Sequence, residues 1–345
     1  MSSAPMLSVV FPVYNKEKYL HKSFECLLNQ TFTDSEIIVV NDGSTDKSAE
    51  IIKEYEQKCN RIKVITQENA GASAARNRGI EAATGKYIVM LDADDTIEPE
   101  MHEKMVACGE KHQADMVVCN YHIIGTGAVQ ESVYDYPYDE KLDREYIEKT
   151  VIPNSLCMPG KGKYINAHWV VLFKRSVIFD NNVRYNELHR KEEDKPFIML
   201  YLKYVQSIAF VRDCLYNYHK LGNTLINQYS PRFSNLMRNF ALYEELYSDI
   251  FDFSGKVWTD FFAKVYEECI EFVLIHRKSA GNVKEEIMKI ITDERCINTF
   301  AKADDTHKVI KSLYAQKNYG GIYKHYMKKF RSLRLKIFLR DMLKK

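Results

Sequence analysis

At 345 residues the chain is longer than one simple core, and two domains are expected. Its make-up, 46% hydrophobic and 28% charged with 14 Gly and 8 Pro, excludes a disordered or collagen-like chain. The net charge of +2 is unevenly spread: residues 323–345 hold nine Lys or Arg against Asp341 alone, so the remainder is net acidic and nucleic acid is not an expected partner.

The first segment, MSSAPMLSVVF, lacks a basic leader region, so no secretory signal is expected. No apolar run approaches the length of a spanning helix. Short apolar runs follow at Leu7–Pro12, Glu36–Val40, Lys63–Thr66, Tyr87–Leu91 and Met116–Tyr121. Helical patterns lie between them near 17–30, 46–58, 72–83 and 99–112. This alternation predicts an α/β fold with a mostly parallel, Rossmann-like sheet flanked by helices. Continuous apolar strands fit a sheet covered on both faces. Residues 122–165 read as an irregular, loop-rich stretch, and from 232 onward the pattern is helical with breaks near Gly255, Gly281 and Gly320–Gly321. The expected divisions are 1–121, 122–230 and 231–345. The eight cysteines are scattered without a CxxC pair, a pattern of reduced thiols in a cytosolic protein rather than of disulfides or a zinc site.

Ligands of an open parallel sheet gather beyond the carboxyl ends of its strands. Three such ends carry polar groups: Pro12-Val13-Tyr14-Asn15, Asn41-Asp42-Gly43-Ser44, and Asp92-Ala93-Asp94-Asp95. Asp92 and Asp94 can offer oxygens to a hard cation such as Mg²⁺ or Mn²⁺, which could hold a diphosphate. Asp42 can accept hydrogen bonds from a base or ribose. Arg76, on a helix opened by Gly71, faces a nucleotide or merely covers the helix; spacing alone does not choose. Neither a GxGxxG fingerprint nor a GxxxxGK[ST] loop is present, which disfavours hydride transfer and P-loop chemistry.

Four motifs in order, Ser8–Asn15, Asn41–Asp46, Gly71–Asn77 and Gly85–Ile88 leading into Leu91–Asp95, resemble family 2 glycosyltransferases of the GT-A fold. The resemblance is strong over 7–120 and recognisable to about 225. It implies an inverting, metal-dependent transfer of a hexose or acetamidohexose from a nucleotide sugar, most often a UDP-sugar. Carried over by position, Pro12, Val13, Tyr14 and Asn15 line the nucleoside pocket and Asp42 binds the base, with Arg76 close by. Asp92 faces the ribose, Ala93 belongs to the nucleotide-sugar site, and Asp94 is the metal ligand on Mn²⁺ or Mg²⁺. Asp95 caps the turn. Asn41 stands where the family often has a second acid.

Inversion needs a general base on the acceptor side. The family supplies it from an acidic pair, matched here within Lys191–Phe197, so Asp194 is the expected base and Glu193 the fallback. Pro196 is expected at the first position of the following helix. Trp169 reads as a core residue or as a sugar-stacking platform, and His219 as structural or as a phosphate contact. The processive signature QxxRW is absent, which favours single additions. Tyr326, Phe330, Leu333 and Ile337 form an apolar stripe among basic residues, a helix suited to an anionic membrane surface or to packing on protein. The expected enzyme is cytoplasmic, with its basic tail open to peripheral contact at the cytoplasmic face of the membrane, and acts on a glycan or lipid-linked acceptor in surface-polysaccharide assembly. The competing readings are a sugar nucleotidyltransferase and a non-catalytic sugar- or membrane-binding partner of a transferase.

Overall fold

A computed structural model describes residues 4–125, 127–157, 165, 167–187, 193–220, 232–251, 255–275, 282–303 and 307–342. The chain forms two compact units, Met1–Thr224 and Leu225–Lys345.

The first unit is built on strands β1 (Leu7–Val13), β2 (Ser35–Asp42), β3 (Ile62–Gln67), β4 (Tyr87–Met90), β5 (Thr96–Ile97), β6 (Met116–Ile124), β7 (Gln130–Ser132), β8 (Lys141–Asp143), β9 (Val171–Lys174) and β10 (Ser207–His219). They share one sheet in the order β3-β2-β1-β4-β9-β6-β10-β5, with β7 on β6 and β8 on β10. The expected parallel core is β3-β2-β1-β4. Strand β9 then enters antiparallel to both β4 and β6, so the whole sheet is mixed. The expected division after residue 121 falls inside β6, because that strand belongs to the same sheet as the first four. The described part of 122–165 carries β7, β8 and helical turns from Arg144 to Cys157, more regular structure than its composition implies.

Helices α1 (Leu20–Leu28), α2 (Ser48–Lys58), α3 (Ala72–Ala82) and α4 (Met101–His112) cover the sheet. On α1, Leu20, Phe24 and Leu27 recur at helical spacing and are buried, each worth about 2 kcal/mol. Helix α3 lies unusually close to the sheet, since a Cβ at Gly79 would sit 2.3 Å from Val10 Cγ1. Only glycine permits that approach, and it presses Arg76, one turn earlier, against the carboxyl edge of the strands. Below that edge, Glu36 is buried at the junction of β1, β2 and the turn before β4. Burial alone would raise its pKa. Hydrogen bonds from Lys63, Ser8 and Thr84 outweigh that effect and hold the carboxyl below its ordinary range.

The second unit is helical: Arg232–Tyr247, Lys256–Ile275, Val283–Ile291, Glu294–Lys302, Lys308–Ala315 and Tyr319–Met342. Gly255 directly precedes a helix, Gly281 lies outside the described residues, and the break near Gly320–Gly321 falls at 316–318, with the two glycines in the first turn of the last helix. Of the expected amphipathic stripe, Tyr326 and Phe330 are buried within this unit, and Lys329 pairs with Glu267 and Glu271. The side chains of Leu333 and Ile337 lie outside the described residues. Among the described residues no helix is long and apolar enough to cross a membrane.

Candidate active site

The carboxyl ends of β1 and β2 are tied together by Asn15. Its backbone is left-handed (φ 51°), which Asn tolerates, and its side-chain oxygen accepts from Thr45 N at 2.8 Å and Asp46 N at 3.4 Å. Pro12 and Val13 end β1, Val13 is buried, and Tyr14 is exposed beside them. Asp42 ends β2 and is buried. Its Oδ1 accepts from Gln67 Nε2 at 2.8 Å and Ala70 N at 2.9 Å, and its Oδ2 from Gly71 N at 2.9 Å and Asn69 Nδ2 at 3.3 Å. Four donors occupy the roughly four lone-pair positions of a carboxylate. A base contacting Asp42 directly would therefore displace one of these, most readily a side chain. The adjoining turn needs Gly43 (φ 69°), where a Cβ would meet Asn69 N at 2.7 Å.

The three acids after β4 have three different environments. Asp92 Oδ1 accepts from Arg76 Nη2 at 2.8 Å and lies 3.7 Å from His168 Nε2. Burial pushes its pKa up, but the charges of Arg76 and His168 outweigh burial and hold it far below the ordinary carboxylate range. Asp94 is partly exposed and contacts the Lys16 ammonium at 2.5 Å. Asp95 is buried, accepting from Tyr216 OH at 2.8 Å and His219 N at 2.7 Å. Burial and the neighbouring Asp92 charge push its carboxyl up to about 8. Ala93 is buried between them, and its carbonyl accepts from Ser23 Oγ at 3.0 Å.

Arg76 donates through Nη1 to Glu193 Oε1 at 2.7 Å, so one guanidinium bridges Asp92, 16 residues after it, and Glu193, 117 residues after it. The side chain is buried against Tyr185. Desolvation opposes its charge, yet Asp92, Glu193 and Asp194 keep its pKa well above the ordinary value. Asp194 is the first residue of the helix Asp194–Leu202, so Pro196 is third, not first. Lys191 and Glu192 of the expected acidic stretch lie outside the described residues. Asp194 Oδ1 lies 2.6 Å from Nδ1 of His168, whose ring is fully buried. The contact is charge to charge, since neither ring nitrogen has a well-aligned hydrogen bond. Burial lowers the His168 pKa, but the Asp194 charge leads the effects that raise it above the ordinary value.

Asp92, Arg76, Glu193, His168 and Asp194 thus form one continuous cluster, and Asp94 with Lys16 lies at its β4 end. Asp42 belongs to the neighbouring loop on the same edge. His168 and Lys16 were not singled out from sequence. Each had a signal in its surroundings: Lys16 stands two residues beyond Tyr14 in a motif at a strand end, and His168 directly precedes Trp169. Trp169 is buried: it stacks on Tyr216 at 4.3 Å and Tyr218 at 5.7 Å, with Tyr121 edge-on at 4.8 Å, an aromatic core environment. The His219 ring bonds Thr96 Oγ1 at 2.9 Å, and burial lowers its pKa.

Asp94 offers one partly exposed carboxylate, which fits a hard cation whose other ligands are diphosphate oxygens and water. Lys16 neutralises that carboxylate and would have to release it. Among the described residues, Asp94 is not part of any cluster of three or more metal-ligating side chains.

The sequence model described as glycosyl transferase family 2 matches residues 8–167. The glycosyltransferase EpsH of Bacillus subtilis is 35% identical over 245 residues, covering 70% of this chain and 67% of its own. The chain belongs to the family 2 glycosyltransferases. As a member of that family it is a transferase with a GT-A-type fold. The poly(ribitol-phosphate) β-N-acetylglucosaminyltransferase TarP of Staphylococcus aureus is similar at 26% identity over 252 residues, 71% of this chain and 72% of its own. The structure of S. aureus TarS 1–349 with UDP-GlcNAc superimposes with a TM-score of 0.68 at 20% identity, covering 94% of this chain and 91% of that one. That likeness establishes the fold, including a helical region after the mixed sheet.

Proposed function

We propose that this glycosyltransferase moves a hexose or acetamidohexose, with inversion, from a UDP-sugar to a hydroxyl of a glycan or lipid-linked acceptor. One observation carries the reading: Arg76 bridges Asp92, at the end of β4, to Glu193, which directly precedes Asp194. The donor-side and acceptor-side acids are thereby held in one charge network. The UDP-GlcNAc bound by TarS and the N-acetylglucosaminyl transfer in TarP's name support a UDP-sugar.

Asp194 accepts the proton of the acceptor hydroxyl as its oxygen bonds to the anomeric carbon. The bond to the diphosphate oxygen breaks on the opposite face, and the electron pair leaves with UDP. Glu193 stays the fallback, its carboxylate being held by the Arg76 guanidinium. His168 Nδ1 and the amino end of the helix face the Asp194 carboxylate and orient it. Pro12, Val13, Tyr14 and Asn15 shape the nucleoside side. Arg76 orients Asp92 towards the ribose with Ala93, and Asp42 sets the loop that receives the base. Mn²⁺ or Mg²⁺ at Asp94 would supply charge neutralisation for the departing diphosphate. We propose a cytoplasmic enzyme that meets the membrane face peripherally; Tyr326 and Phe330, buried within the second unit, are not the surface of that contact.

A decisive experiment measures donor binding and transfer together. Asp194→Asn should retain the rise in melting temperature caused by a UDP-sugar with Mn²⁺ and lose about a thousandfold in transfer rate. Normal transfer by this variant would remove Asp194 from the role. A GDP-, CDP- or dTDP-sugar giving the larger rise would displace UDP.

A further inference from the structure

Away from Asp94, three adjacent strands each contribute one metal-binding side chain to a single point. His122 of β6, Glu131 of β7 and Cys214 of β10 bring a ring nitrogen, a carboxylate oxygen and a sulfur within 4.8 Å of one another. Among the described residues no other group of three His, Cys, Asp or Glu comes so close. His122 lies directly opposite Glu131 in the β6–β7 pair and beside Asn217 in the β6–β10 pair. Cys214 sits where the register of β10 shifts on both sides, and such an irregularity re-aims a side chain.

The hydrogen bonds around His122 fix which of its nitrogens is available. Asn217 Nδ2 donates to Glu98 Oε1 at 2.8 Å, which turns Asn217 Oδ1 towards His122 Nδ1 at 3.0 Å. An amide oxygen only accepts, so Nδ1 carries the hydrogen and Nε2 of the neutral ring keeps a lone pair. That lone pair faces Glu131 Oε1 at 4.0 Å. Such a pair of donors can take a cation between them, and a ring held through its other nitrogen is how metal-bound histidines are oriented.

We propose that His122 Nε2, the Cys214 sulfur and one Glu131 oxygen bind a divalent cation of the zinc class, with a fourth position left to water. The thiol proton passes to solvent as the metal–sulfur bond forms. Glu131 is largely exposed and His122 partly so, which leaves an entry path. Sulfur and imidazole select a softer ion than the oxygen-only donor at Asp94, so the two sites differ in metal. The bound ion clamps the short strand β7 onto β6 and β10. This site stands independently of the proposed glycosyl transfer.

Cobalt(II) is the probe, because a thiolate ligand gives it a near-ultraviolet charge-transfer band. The purified 345-residue chain should show this band saturating at one equivalent and should lose it on adding Zn²⁺. Cys214→Ser should abolish the band. Glu131→Gln alters an exposed side chain and so keeps the fold; it should weaken Co²⁺ binding by more than the about tenfold cost of losing an outer-shell partner. Asp94→Asn should leave the band intact, which separates this site from the donor-side cation. No band, a band that survives Cys214→Ser, or unchanged affinity in Glu131→Gln overturns the site.

Discussion

His168 Nδ1 lies 2.6 Å from Asp194 Oδ1, and no part of the imidazole is exposed. A buried ring so close to a carboxylate is favoured as imidazolium, which is why its pKa stands above the ordinary value despite burial. The sign of the resulting pH dependence follows. A histidine whose folded pKa is raised contributes its full stabilisation below the unfolded value of about 6.5 and loses it as pH rises through the folded value. The stability difference between wild type and His168→Gln should therefore be largest in mild acid and shrink on the alkaline side. Denaturant midpoints for both proteins across that range test it, and a difference that grows with pH would contradict the assignment.

Arg76 holds two carboxylates at once, so its removal leaves both inadequately compensated. Arg76→Ala should cost roughly 3 to 5 kcal/mol of stability, the range for breaking a buried ion pair by deleting one partner. Arg76→Lys should recover only part of this, because an ammonium lacks the planar fork that reaches Asp92 and Glu193 together. Urea unfolding of the three proteins gives the comparison.

Asp94→Asn should abolish the dependence of turnover on Mn²⁺ and weaken UDP-sugar binding. A ligand at a hundred times its dissociation constant stabilises by about 2.7 kcal/mol, and the variant should show a correspondingly smaller melting shift at the same donor concentration. Full retention of the Mn²⁺ response would move the cation elsewhere.

Asp95 behaves oppositely to the usual acidic residue. Its carboxyl is pushed up to about 8, so the folded chain retains a proton that the unfolded chain releases near pH 4. Stability should fall as pH rises from about 4 through about 8 on its account. Asp95→Asn removes that slope, and its stability relative to wild type should improve steadily across the interval. The same denaturant series measures this, and a flat difference would count against the burial argument.

Much of the first unit was legible in the chain because its signals are local. Five apolar runs and the four helical patterns between them appear as β1, β2, β3, β4, β6 and α1 to α4, within a few residues at each end. The inversion at β9 was not legible, since a four-residue apolar strand carries no mark of its direction. Strands β7 and β8 were hidden because three-residue edge strands in polar sequence depend on the partner, not on their own pattern. The cysteines illustrate the same limit: scattered spacing argued against zinc, yet Cys214 meets His122 and Glu131 through strand pairing that spacing cannot encode.

The sequence by itself determined the α/β architecture, the helical second half and the acidic strand ends, since periodicity and motif order act over short distances. Tertiary structure alone decided what each acid after β4 does. Asp92 pairs with Arg76, Asp94 meets Lys16, and Asp95 is buried under Tyr216 and His219. These three neighbours differ because desolvation and charge pairing depend on groups brought from up to 124 residues away, and no reading of adjacent residues contains them.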